Sequence, residues 1–351
     1  MYCGIVDPFV SSDYLSQTLK DQGILPIALL SDPSQAVSMA PKNFQAKNFI
    51  HTQSIADLNE DQIKKRLNTF KPYVIIAGSE FSCALTDRLA TILSPEFANS
   101  PRHSAWRINK MAMQEAIGRL DIPNITSHVI TPITNRQQLN QFLQHWQWPI
   151  IIKPTEAAGS FGIKICYTIS EIEQQLHKLR NVKYIFAHRP VQTILLQEFL
   201  EGEEYFFDTC SYQVQHRLIS LGYYKKVFRS GLPVYRYIEL KDFDNEKGRI
   251  LSLYLKKVLN AVELNNGLSH TEIMLTAKGP RLIEVNPRVS GVYGLVNILA
   301  RQVYHCDQVS LLAKAIKQPH DFLTDVDTIP HFYQSARLVF LHCFENRKLR
   351  S

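Results

Sequence analysis

Arg281-Leu282-Ile283-Glu284-Val285-Asn286-Pro287-Arg288 reads as a strand that ends in Glu-x-Asn. A second acid, Glu272, stands earlier in Ser269-His270-Thr271-Glu272-Ile273-Met274-Leu275. Two antiparallel strands joined by the turn Ala277-Lys278-Gly279-Pro280 place Glu272 beside Glu284 and Asn286. Side chains alternate along a strand, so Glu284 and Asn286 leave the same face. Two carboxylates and an amide oxygen form a hard-oxygen set suited to Mg²⁺, which binds through a few carboxylates plus substrate phosphates. Mn²⁺ is the alternative ion for such a set. Arg288, one same-face step further, is placed to meet phosphate oxygens.

The rest of the chain narrows the class. Its 351 residues allow two or three lobes, and 45% hydrophobic with 20% charged residues is ordinary for a globular protein. The net charge of +7 attracts anions, but the only dense basic cluster is Arg347-Lys348-Leu349-Arg350, so nucleic acid is not expected as a partner. The six cysteines are scattered without paired spacing, which argues against a disulfide framework or a zinc site. No apolar run approaches the ~20 residues that span a bilayer. The start, Met1 to Asp7, reads as a strand rather than a signal peptide, and a cytoplasmic protein is expected.

In the first hundred residues, strands at Cys3 to Val6, Leu25 to Leu30 and Tyr73 to Ala77 alternate with helices at Leu15 to Asp21 and Ile63 to Phe70. That alternation predicts a parallel sheet covered by helices. No Gly-x-Gly-x-x-Gly follows the first strand, which disfavours a dinucleotide site. Helical periodicity from Ala105 to Leu120 opens a second unit, and Tyr205 to Leu240 alternates like an antiparallel meander. A long helix is expected from about Leu295 to Ile316, then a closing strand from Ala336 to Phe344. The expected fold is α/β, divided into 1–104, 105–199 and 200–351.

Between two apolar strands, Lys153 precedes the small-residue tip Gly159-Ser160-Phe161-Gly162. Glycines let backbone N–H groups approach phosphate oxygens, and a lysine at the base adds charge; a plain turn is the bland alternative. Gln197-Glu198-Phe199-Leu200-Glu201-Gly202-Glu203-Glu204 reads as a strand, a tight turn and an acid. Such an extended backbone can pair with an adenine edge and the acid with ribose hydroxyls, or the segment is an ordinary strand with a solvated turn.

These motifs, with Lys110 in Asn109-Lys110-Met111-Ala112-Met113 and with His270-Thr271-Glu272, occur in the order seen in the ATP-grasp superfamily. The chain resembles its carboxylate–amine ligases, in particular the L-amino-acid ligase group, over roughly Gly78 to Gly291. The resemblance implies an ATP-grasp architecture: a parallel-sheet first domain, a small ATP lobe and a larger antiparallel core. It implies that Lys110 and Lys153 contact ATP phosphates under a lid formed by Gly159, Ser160, Phe161 and Gly162. Glu198, Phe199 and Leu200 would line the adenine hinge, and Glu204 would hold the ribose. Glu272, Glu284 and Asn286 would hold Mg²⁺, and Arg288 the phosphoryl group or acyl carboxylate. Lys225 or Lys226 would reach the γ-phosphate. The implied reaction joins a small-molecule carboxylate to an amine through an acylphosphate, and a homodimer is expected by analogy.

Other readings stay open at this level. His270 is either a base or substrate contact, or a structural hydrogen-bonding residue; Glu80 is a candidate for the substrate ammonium. Asp87 and Arg88 read as a solvated helix face, Trp106, Trp146 and Trp148 as packing, and Tyr205, Phe206 and Phe207 as sheet core. The chain departs from the ligase group at Val292, where another glycine is usual, and at Phe161, where many relatives carry a basic residue. It also ends soon after its last strand, so part of the pocket's closing wall is expected to be missing. A macromolecular or non-amine acceptor, and a nucleotide-binding protein without turnover, are the alternatives.

Overall fold

The computed structural model describes residues 1–35, 44–157, 159, 161–180, 183–184, 189–229, 232–324 and 329–341. Its first sheet is parallel, with strands β1 (Tyr2–Val6), β2 (Leu25–Leu30), β3 (His51–Ser54) and β4 (Val74–Ala77) in the order β3-β2-β1-β4. Four of five residues in β1 and five of six in β2 are buried, as expected for a parallel sheet covered on both faces. Because β1 is flanked by β2 on one side and β4 on the other, their carboxyl ends frame a crevice at a reversal of strand order. Glu80 lies just past β4 at that crevice.

The second sheet contains β5 (Ser127–Ile130), β6 (Ile150–Pro154), β7 (Lys164–Cys166) and β10 (Ile194–Glu198), ordered β5-β10-β6-β7 and antiparallel. The short pair β8 (Lys183–Tyr184) and β9 (Arg189–Pro190) precedes β10. Helices Arg136–Leu143 and Ile169–Arg180 supply Leu139, Leu143, Ile172, Leu176 and Leu179 to this sheet's own core. The third sheet has six antiparallel strands: β11 (Glu203–Tyr212), β12 (Gln215–Arg229), β13 (Leu232–Leu240), β14 (Gly267–Thr276), β15 (Gly279–Asn286) and β16 (Arg337–Val339). Their order is β15-β14-β11-β12-β13-β16. Tyr205, Phe206 and Phe207 are buried in it, as the alternation predicts.

One apolar core runs from the first unit into the third, joining Leu15 and Leu19 to Val309 and Leu312 and to Phe206 and Phe207. Each such fully buried side chain contributes about 1.5–3 kcal/mol by leaving water. Among the described residues no helix is long and apolar enough to cross a membrane.

Four expectations need correction. The helix expected over Ala105 to Leu120 is two, Ala105–Ile108 and Lys110–Gly118, because Asn109 turns extended and its side chain caps Met111 and Ala112 N–H. The helix expected over Leu295 to Ile316 is also two, Leu295–Tyr304 and Gln308–Lys317; His305 is left-handed, and Asp307 caps Val309 and Ser310 N–H. Asp87 is not solvated: it is 3% exposed and accepts from Arg107 Nη2 at 2.7 Å and from Ser104 Oγ at 2.5 Å. Its neighbour Arg88 does face solvent, 4.0 Å from Glu60. The closing strand is short, Arg337–Val339, and residues 342–344 lie outside the described residues.

Candidate active site

A cavity of about 700 Å³ lies between the second and third sheets. Most of the residues singled out in sequence line it. The break at Asn109 sets Lys110 at the head of a new helix, with its N–H on Thr155 O at 3.0 Å. Lys110 Nζ then reaches Ala157 O at 2.7 Å and Glu284 Oε2 at 2.8 Å. Lys153 enters from β6, opposite Leu195, and is 4% exposed. Burial, with the Lys110 charge adding to it, brings its ammonium down to about 8. Nearby carboxylates, Glu284 first among them, oppose that push without cancelling it.

Glu198, Phe199 and Leu200 line the cavity where β10 ends. Glu198 N–H donates to Thr126 O at 3.0 Å, and its carboxylate accepts from Thr126 N–H at 3.1 Å. Gly159 and Phe161 line the cavity, whereas Gly162 stands off it, with its carbonyl accepting from Gln175 Nε2 at 3.0 Å. Ser160 lies outside the described residues.

The hairpin of β14 and β15 has the expected register. Glu272 pairs with Glu284, and His270 with Asn286; a bulge follows Glu272. Asn286 Nδ2 donates to Glu284 Oε1 at 3.3 Å. Burial alone would raise the Glu284 carboxyl, but the Lys110 ammonium more than reverses this and holds it at about 2. Glu204, near the start of β11, pairs with Lys226 of β12. Burial pushes Glu204 up to about 7, and the charges of Glu272 and Glu284 add to that push while Lys226 opposes it. Lys226 Nζ also sits 4.5 Å above the Tyr235 ring and 5.3 Å above Tyr224.

His270 has both ring nitrogens engaged, Nδ1 with Asp208 Oδ1 at 2.7 Å and Nε2 with Tyr224 Oη at 2.9 Å. Burial works against its charge, but Asp208 and Glu272 outweigh it and raise the imidazole to about 9. A doubly bonded cation has no lone pair for a proton, so the arrangement favours the structural reading over a base. Arg288 Nε donates to Glu80 Oε2 at 2.7 Å, and Nη1 to Val289 O at 3.0 Å. Burial would raise Glu80, yet the guanidinium beside it holds it below the usual carboxylate range. Arg288 lines the large cavity; Glu80 lies behind it, against a void of about 30 Å³ shared with Lys110 and Glu284.

Tyr224, Tyr235 and Phe340 also line the cavity and were not singled out as site residues. For the two tyrosines the aromatic density of the meander was the only signal, and it reads equally as core. Phe340 arrives from the segment after β16, so that segment supplies part of the cavity wall.

Among the described residues no three acidic, histidine or cysteine groups converge on one point. Two carboxylates and an amide oxygen do share one wall, however, with Glu284 ionised beside Lys110. That set fits an Mg²⁺ whose remaining ligands are phosphate and water.

Comparison with known proteins gives a consistent result. A model of the ATP-grasp domain matches residues 146–295. Dapdiamide A synthase of Enterobacter agglomerans is 32% identical over 290 residues, covering 81% of this chain and 67% of that protein. Alanine–anticapsin ligase of Bacillus amyloliquefaciens is 23% identical over 311 residues, 82% of this chain and 63% of that one. The chain thus spans about two thirds of the length of these curated relatives. The crystal structure of L-amino acid ligase from Bacillus licheniformis superposes with a TM-score of 0.72 at 15% identity, over 96% of this chain and 78% of that one.

Proposed function

Because the chain belongs to the ATP-grasp family, among its carboxylate–amine ligases, we propose that it joins a small carboxylate, an amino acid or related acid, to an amine. ATP is cleaved to ADP and phosphate, with an acylphosphate between the two half-reactions. The observation that carries this reading is the single cavity in which Lys110 and Lys153, the Glu272, Glu284 and Asn286 set, and Arg288 face one another.

In this reading adenine lies along Glu198 to Leu200, the ribose against Glu204, and the triphosphate between Lys110 and Lys153 beneath the Gly159 to Gly162 tip. Glu272, Glu284 and Asn286 would hold Mg²⁺, which when bound supplies charge neutralisation along the phosphates. Lys110 leaves Glu284 for phosphate as the nucleotide enters, so the ion pair keeps both groups charged and oriented beforehand. Arg288 faces the substrate carboxylate, whose oxygen attacks the γ-phosphorus as ADP leaves. The amine then attacks the acyl carbon, and phosphate departs with the carboxylate oxygen. Lys226, held by Glu204 on the cavity wall, is the candidate for the γ-phosphate, and Glu80 is the candidate for a substrate ammonium that reaches behind Arg288, its present partner. Closing the cavity matters because water would hydrolyse the acylphosphate.

The same reading keeps the three-part division 1–104, 105–199 and 200–351, with a homodimer as its assembly, to be measured by light scattering. Buried free thiols at Cys3, Cys83, Cys166 and Cys210 fit a reducing, cytoplasmic setting, to be tested by fractionation. The function is tested by ADP release with Mg·ATP, using pools of amino acids and small acids with and without amines. Release that needs both substrates supports a ligase; turnover without any carboxylate, or none with any pool, opposes it.

A further inference from the structure

The loop that follows β15 holds an unfavourable backbone. Val292 and Tyr293 are left-handed, with φ of 58° and 55°, and Gly294 follows at 80°. Consecutive side-chain-bearing residues in this region are costly and persist only where their surroundings enforce them. Those surroundings are buried amides and hydroxyls that neither the nucleotide nor the metal reading uses.

Gln308 Oε1 accepts from Ser290 N–H at 2.7 Å and from Asn297 Nδ2 at 3.2 Å. Asn297 Nδ2 also donates to Ser290 Oγ at 2.8 Å, and its Oδ1 accepts from Gln308 N–H at 3.0 Å. Gln308 Nε2 is anchored to β14 through Ser269 O at 2.9 Å. From the first unit, Ser11 Oγ donates to Ser290 O at 2.7 Å. Ser290, Asn297 and Gln308 are 0% exposed.

Apolar side chains could fill this space without so many groups to satisfy, since a buried amide is tolerated only when bonded. What the amides add is direction. Gln308 fixes the N–H of Ser290 and Asn297 its hydroxyl, while Ser11 fixes its carbonyl, between Arg288 and the left-handed turn. Arg288 and Gly291 on either side line the cavity.

We propose that Asn297 and Gln308 are positioning residues: through Ser290 they hold the 288–294 loop so that Arg288 faces the carboxylate undergoing phosphoryl transfer. The identity of that step rests on the ligase reading; the clamp itself does not.

The test compares wild type with Asn297→Ala and the milder Ser290→Ala in three measurements: ADP affinity, carboxylate-dependent ADP release, and amide exchange over 288–294. Asn297→Ala is expected to lower kcat about 10- to 100-fold, as a misplaced reacting group does. ADP affinity should stay within about twofold, because the clamp does not touch the nucleotide. Loop amides should exchange at least about tenfold faster. Unchanged kcat and exchange in a folded variant overturn the proposal, as does equal loss of ADP affinity and turnover. If Asn297→Ala does not fold, Ser290→Ala decides by the same criteria. If wild type itself turns over no carboxylate, the ligase reading fails while loop exchange still decides the clamp.

Discussion

Two hairpins face each other across the cavity, and they are built differently. The β6–β7 hairpin pairs over only three residues, Ile150 to Ile152 against Cys166 to Lys164. Its tip carries Gly159 at φ 64° and Gly162 at φ 71°, and a side chain placed at Gly159 would meet nothing within 4 Å. The β14–β15 hairpin pairs from His270–Asn286 to Thr276–Gly279, and behind it lie the 0% exposed groups of Asp208, Thr209, Ser269 and Gln308. The contrast separates two tasks. In the proposed reading, one side lets a nucleotide enter and leave, and the other holds carboxylates and a guanidinium at fixed spacing while charge moves.

If rigidity comes from buried, paired polar groups, removing one partner of such a pair should cost most, and the Asp87–Arg107 pair outside the hairpin sets the scale. Asp87→Ala leaves the fully buried Arg107 without its carboxylate, and a loss of about 3–5 kcal/mol is expected in denaturant unfolding. A shift below about 1 kcal/mol would show the pair to be replaceable by water. Glu284→Gln keeps the shape of the hairpin but removes a charge, and should lower carboxylate-dependent ADP release by about 10²–10³. Unchanged release would remove Glu284 from the chemistry.

On the looser side, Gly162→Ala forces a left-handed alanine whose Cβ falls 2.9 Å from Leu179 and 3.0 Å from Pro154. A cost of about 1–3 kcal/mol in stability and weaker ADP binding are expected. Nucleotide-induced protection of amides should appear at 155–163 and not at 267–286; equal protection on both sides would dissolve the comparison. The smallest effect concerns Lys153, held at about 8, below the ordinary lysine range. The unfolded chain therefore binds more protons above that value, so stability rises with pH across the window between them. Phosphates push the value back up, and calorimetry at about pH 9 in two buffers should show ADP binding take up part of a proton. No uptake would place the phosphates elsewhere.

The rigid side was the more legible in sequence. Glu272 and Glu284 are a short turn apart on alternating strands, so period-2 geometry alone pairs them, and the register agrees. Lys110 was legible as a residue but not as a geometry, because apolar periodicity runs straight through Asn109 and conceals the cap that turns the lysine inward. Asp87 was misread for a similar reason: one acid on a helix looks solvated until its partner, Arg107, arrives from a separate helix. The edge strand His51–Ser54 was missed because an edge need not alternate and its residues are polar. Asn297 and Gln308 gave no signal, since buried amides are recognised only by partners brought from several elements.

The central claim is that a substrate carboxylate takes the γ-phosphoryl group before the amine attacks. Turnover with a carboxylate labelled with ¹⁸O in both oxygens, followed by mass analysis of the released phosphate, tests it directly. The account predicts one ¹⁸O in each phosphate and one retained in the product. Phosphate free of label during amine-dependent turnover would contradict the acylphosphate and the role given to Arg288.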